Sequence, residues 1–221
     1  MTEYSSVVEQ FAALGKSIMA IDPLTRYDSV AKNARRPLEP GFIPVDRPAR
    51  VVTVTYYPNE TELPNEAFQA ARKSFVRWGE TGSVEDYSSA YRDWVELLPS
   101  IPFHRKWNVD VFAELGICDD EFAWLPLIKC PLPAESEPSD EDVYRDKLLL
   151  WDQLWLLKPR VLLIQGVRPH DVVAPMCHKK WPHAPPVLQK IPRRNGNSVA
   201  QRTETVGKLR AALRWAEEIE A

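Results

Sequence analysis

The segment Arg160-Val-Leu-Leu-Ile-Gln-Gly166 restricts the fold of this chain more than any other. It follows Pro159, is apolar at four successive positions, and runs into a glycine. A strand with one wet face alternates apolar and polar residues. A strand without alternation is buried on both faces, as in a parallel sheet covered by helices. The flanking pattern agrees. Residues 140–157 have helical spacing, with Ser139 as N-cap and Asp140, Glu141 and Asp142 in the first turn, where the helix dipole favours acids. A further helix is expected to begin around His170.

Other segments extend this alternation. Arg50–Tyr57 is β-branched and aromatic until Pro58 stops it, and reads as a strand. Phe122–Cys130 reads as a second strand, closed by the Pro131-Leu-Pro133 turn, and 185–191 as a fourth. Helical periodicity covers 4–20, 64–98 with a break near Gly79–Gly82, 108–116 and 198–220. Residues 22–50, with Pro23, Pro37, Pro40, Pro44 and Pro48, read as an extended arm on the domain surface. The prediction is an α/β fold, a three-layer αβα with a short, mainly parallel four-stranded sheet, formed by residues 1–221 as one domain.

Composition narrows the function classes. With 44% hydrophobic and 27% charged residues the chain is neither disordered nor fibrous. No run approaches the ~20 apolar residues of a membrane span. Glu3 and Glu9 occupy the stretch where a signal peptide would be basic, so a cytoplasmic location is expected. Cys118, Cys130 and Cys177 form no CxxC pair and are odd in number, which argues against a disulfide framework and against zinc. The formal net charge is −3, yet Lys179–Arg202 gathers six basic residues and no acid. Such a stretch suits phosphate binding, or is simply a solvated loop. Neither GxGxxG nor GxxxxGK[ST] occurs, which ranks a nucleotide enzyme of another kind last.

In parallel sheets ligands bind beyond the carboxyl ends of the strands, which draws attention to 56–62, 129–133, 166–170 and 192–198. Within these segments Thr55-Tyr-Tyr-Pro-Asn-Glu60 is a strand running into a proline and a polar loop. Ile128-Lys129-Cys130-Pro131-Leu132-Pro133 is an apolar strand entering Lys-Cys-x-x-Pro. Leu154–Gly166 is a helix end, Lys-Pro-x-Val, an apolar strand and a glycine. In this order and separation, from about Arg50 to Leu213, the chain resembles a divergent member of the uracil-DNA glycosylase superfamily.

The resemblance implies a monofunctional DNA glycosylase that needs no cofactor, acts as a monomer, and excises a base from DNA. The catalytic candidates it implies are Asn59, Glu60 and Glu62, in the loop that would position water. Asn59 could instead cap the turn after Pro58. The base-binding candidates are Tyr56, Tyr57 and Lys129, where the tyrosines are equally readable as core aromatics and Lys129 as a solvated strand-end lysine. The DNA-binding candidates are Lys190, Arg193, Arg194, Asn195 and Asn197, around a flexible Gly196 in the loop that would enter DNA; an ordinary surface turn has the same composition. Where the family's second strand often carries an asparagine this chain has Leu125, Pro126 and Leu127, and the last loop lacks the family's histidine. These departures point away from uracil, toward another damaged or modified base. One such base is a hypermodified phage pyrimidine, whose removal would serve antiphage defence. An iron–sulfur cluster is not expected, because the N-terminus has no cysteine pair, and Cys130 reads as a small buried hydrophobe. The alternative is a non-catalytic nucleic-acid-binding or interaction module on the same fold.

Overall fold

The computed structural model describes residues 3–22, 38–56, 66–98, 111–130, 138–181, 186–191 and 199–218. Four parallel strands, β1 (Val51–Thr55), β2 (Phe122–Pro126), β3 (Val161–Gln165) and β4 (Val187–Ile191), form one sheet in the order β2-β1-β3-β4. The α-helices among the described residues are α1 (Glu3–Met19), α2 (Glu66–Thr81), α3 (Val84–Leu97), α4 (Asp140–Leu157), α5 (Val167–Lys180) and α6 (Val199–Glu218). The fold is a three-layer αβα, as the alternation predicts.

All five residues of β1 and all five of β3 are buried, so the two central strands meet helices on both sides. Parallel neighbours need crossovers, and these are right-handed in nearly all proteins. The chain passes from β1 out to β2 through α2 and α3. It then returns over β1 through α4 to β3 and continues through α5 to β4. The reversal of direction puts α2 and α3 on one face and α4 and α5 on the other. α1 packs on α2 and α3 and reaches α4.

The α2–α3 face is sealed by aromatic rings. Phe42 stacks on Trp94 at 4.9 Å, Trp78 meets Tyr87 edge-on at 4.8 Å, and Phe11 lies 5.6 Å from Tyr87. Their polar handles are satisfied inside. The Trp78 indole donates to the Ala12 carbonyl, and the Tyr87 hydroxyl accepts from Ile43 N–H while donating to Ile43 C=O. Buried aromatics usually find partners for such groups.

Three local expectations are corrected. Residues 38–43 are not a surface arm: Leu38, Phe42 and Ile43 are core, and Phe42 bridges Trp124 in antiparallel fashion. Gly41 permits this approach, since it has φ +90° and a Cβ there would lie 2.2 Å from the Trp124 carbonyl oxygen. Residues 23–37 of the arm lie outside the described residues. β2 ends at Pro126, four residues early, although Leu127 and Ile128 still donate to the Thr55 and Tyr56 carbonyls. The described part of 108–116 is helical as expected, a π turn at Val111–Phe112 running into the 3₁₀ turn Ala113–Leu115 and ending at Gly116. α5 begins at Val167 rather than near His170, because Gly166 at φ 97° turns the chain straight into the helix and Pro169 fits its first turn.

Candidate functional site at the carboxyl edge

Strands β1 and β3 are neighbours whose onward connections run in opposite directions. The crevice outside their carboxyl ends is therefore the topological switch point of the sheet, where ligands of such folds bind. Tyr56 leaves β1 there, Lys129 and Cys130 follow β2, and Gly166 opens α5 after β3.

Lys129 is wholly buried, which corrects the solvated reading. Its ammonium donates to the Pro126 carbonyl at 2.6 Å and to Gln153 Oε1 at 2.5 Å. Its backbone N–H donates to the Asp146 carboxylate at 2.7 Å, and its carbonyl accepts from Glu39 N–H. Gln153 in turn donates to the Pro40 carbonyl. Asp146 and Gln153 are seven residues apart on α4, two helical turns, so both present to one line along the helix. The knot ties three elements together: residues 39–40 before β1, the end of β2 at Pro126 with the residues up to Lys129, and α4. Burial pulls the Lys129 ammonium down to about 7, against the opposing pull of Asp146. In this position Lys129 shapes the loop leaving β2 from beneath and presents no charge to the crevice.

Tyr56 is 5% exposed, so it is a largely buried ring. Its carbonyl accepts from Ile128 N–H, which brings the two described base-binding candidates, Tyr56 and Lys129, to adjacent strand exits. The Arg168 guanidinium sits 5.5 Å from the Tyr56 ring centroid. Arg168 also pairs with Asp140 at 2.7 Å and donates to the Pro138 carbonyl. It therefore links the start of α5 to the start of α4 across the end of β1. Sequence reasoning missed Arg168; the signal available was its place two residues after Gly166, in the first turn of a helix at the edge already marked for ligand binding.

Lys190 is exposed on β4, opposite Ile164 of β3. It lines a depression of ≈ 190 Å³ between β4 and α6 together with Glu204 and Lys208, which pair with each other at 2.5 Å. Tyr57, Asn59, Glu60 and Glu62, and likewise Arg193, Arg194, Asn195 and Asn197, lie outside the described residues. The ends of the flanking strands still locate where those segments start: the first leaves β1 after Tyr56, the second leaves β4 after Ile191. Gly166 N–H donates to the Ile191 carbonyl at 2.8 Å, so the β3 and β4 exits are joined. Cys130 is fully buried, as a small hydrophobe would be.

Among the described residues no cluster of three or more His, Cys, Asp or Glu could hold a metal ion, and no helix is long and apolar enough to cross a membrane. No protein-family model and no curated protein matches this chain.

Proposed function

We propose that the chain is a DNA glycosylase, which hydrolyses the N-glycosidic bond of a damaged or modified base and leaves an abasic site. The observation that carries this reading is topological. The segments resembling uracil-DNA glycosylase motifs belong to the exits of β1, β2 and β3, and the order β2-β1-β3-β4 gathers those exits at one edge with the switch point between β1 and β3.

Breaking the bond develops positive charge on the sugar and negative charge on the departing base. Asn59 or Glu60, immediately beyond the β1 exit, holds or activates the attacking water on the sugar side, with Glu62 as the third polar group of that loop. Extruding the nucleotide costs a few kcal/mol and is offset by stacking. With Tyr56 largely buried beside Arg168, Tyr57 is the ring left for that stacking. Lys190, Arg193 and Arg194 neutralise phosphates, and Asn195 and Asn197 add hydrogen bonds. Leu125 and Leu127, fully buried where an asparagine would read uracil, favour a different base, a modified phage pyrimidine among them.

The test is incubation of the protein with DNAs carrying uracil, deaminated and alkylated bases, and with phage genomes containing modified cytosine, followed by alkali. Strand breaks on one of these, lost in Asn59→Ala or Glu60→Ala, are the expected result. Binding without abasic sites on any of them would leave a non-catalytic binding module.

A further inference from the structure

Helix α4 turns a second, unrelated surface outward. Tyr144, Leu148 and Trp155 are 61%, 54% and 52% exposed, and their spacing of four and seven residues puts them on one stripe of the helix. At the end of that stripe lies a cluster of three indoles. Trp151 is 4.5 Å from Trp181, which follows α5, and Trp181 stacks on Trp155 with planes 9° apart. Trp155 is half open to water, a departure from the usual burial of indoles, with the partly buried Trp151 and Trp181 beside it, and an exposed aromatic patch of this kind marks an interaction site.

The charges around the patch select the partner. The Lys180 ammonium lies 5.8 Å from the Trp151 ring centroid, and that of Lys147 lies 4.1 Å over Tyr144. His178 and Lys179 are exposed in the last turn of α5, beside Lys180. Between Lys147 and Leu157 the one acid is Asp152, and between Met176 and Trp181 there is none. A second copy of this chain docking here would face the same lysines across a twofold axis, and like charges would repel. A membrane surface would accept indoles and lysines. Asp152, however, sits four residues after Leu148 and three before Trp155, and would carry a carboxylate into that contact. Partial desolvation already raises its pKa above the ordinary aspartate value. A nucleic-acid strand uses every one of these groups. Bases stack on indole faces, phosphates meet the lysines, and a carboxylate accepts from an exocyclic amine of a base.

We propose that Trp155, Trp151 and Trp181, with Lys179 and Lys180, form a platform for single-stranded nucleic acid. It lies at the far end of α4 from the capped N-terminus that meets Arg168, so it is separate from the crevice at the carboxyl edge. It stands whether or not that crevice excises bases.

The test uses the full chain and a fluorescein-labelled single-stranded DNA of about 20 nucleotides, read by anisotropy against salt concentration, with the matching duplex and phosphatidylserine vesicles as competitors. The expected result is that the single strand binds, that Trp155→Ala weakens it about tenfold, and that Lys179→Ala with Lys180→Ala flattens the salt dependence. Arg193→Ala with Arg194→Ala, two and three residues beyond the end of β4 in sequence, should leave the Trp155-dependent part in place. Folding of each variant is checked by circular dichroism, and Trp155→Phe, which keeps an aromatic face, should restore much of the affinity. Affinity unchanged in Trp155→Ala, or no binding of the single strand at low salt, would overturn the proposal. So would stronger competition by vesicles than by unlabelled single strand.

Discussion

The two helical layers use the same residue types in opposite ways. On the α2–α3 side the aromatics are inside: Trp78 and Tyr87 are fully buried, and their hydrogen-bonding groups end on backbone atoms of α1 and residue 43. On the α4–α5 side Tyr144 and Trp155 stand at least half outside, Trp151 and Trp181 are partly buried, and what is fully enclosed is a lysine with its carboxylate and amide partners. The first arrangement contributes stability through area and close packing. The second holds a costly charge in a defined place, which is common where a backbone segment must keep one geometry for function. The difference teaches that the layer carrying the strand exits of the candidate site is the one built with polar specificity, while the opposite layer acts as its rigid support.

The largest effect that would sharpen this comparison belongs to the aromatic layer. Trp78→Ala should cost about 3–5 kcal/mol in urea unfolding, through lost area, a cavity, and the lost indole hydrogen bond to the Ala12 carbonyl. A cost below about 1 kcal/mol would mean that the layer is not the support described.

Next comes the buried lysine, whose signature is pH dependence. The Lys129 ammonium is lowered from 10.5 to about 7 by burial. Between those values the unfolded chain holds a proton that the native chain has released, so stability is complete above the upper value and falls as pH drops toward 7. Raising the pH from 7 to 9 should therefore add roughly 2–3 kcal/mol, and Lys129→Met should remove that slope. The window stays below the range where burial-raised Tyr87 would complicate the curve. Parallel curves for wild type and Lys129→Met would contradict the buried network.

Little of that network is legible in the sequence. Lys129 follows an apolar run, where a lysine is ordinarily solvated, and its partners are 17 and 24 residues away on a helix. Only the crossover of α4 back over β1 brings them together, and no local pattern encodes a crossover's exact register. Arg168 is hidden for the same reason: its contact with Tyr56 exists because β1 and β3 are neighbours. By contrast β3 and α4 are plain in the sequence. An unbroken apolar run has one stable environment, and the Ser139–Asp142 capping box forms from residues three apart. The arm is intermediate, because its prolines announce an extended chain but do not reveal that Phe42 and Ile43 enter the core.

Gly15→Ala is a smaller perturbation of the aromatic layer. A Cβ there would lie 2.1 Å from the Trp78 ring, so the layer must shift. A loss of about 1–3 kcal/mol in thermal or urea unfolding is expected. The smallest effect belongs to the outward aromatics: Trp155→Ala should change stability by about 1 kcal/mol or less, because half of that ring is already in water. A loss as large as that of Trp78→Ala would erase the contrast between the layers.

Base excision at the carboxyl edge would leave two products, the free base and the abasic site. Its most direct measurement is mass spectrometry of the small-molecule fraction after incubating the protein with each modified DNA, paired with a count of abasic sites in the remaining strand. One released base, one abasic site per base released, and loss of both in Asn59→Ala or Glu60→Ala with binding retained are the expected result. Intact DNA and no free base from any substrate, or release that persists in both variants, would contradict it.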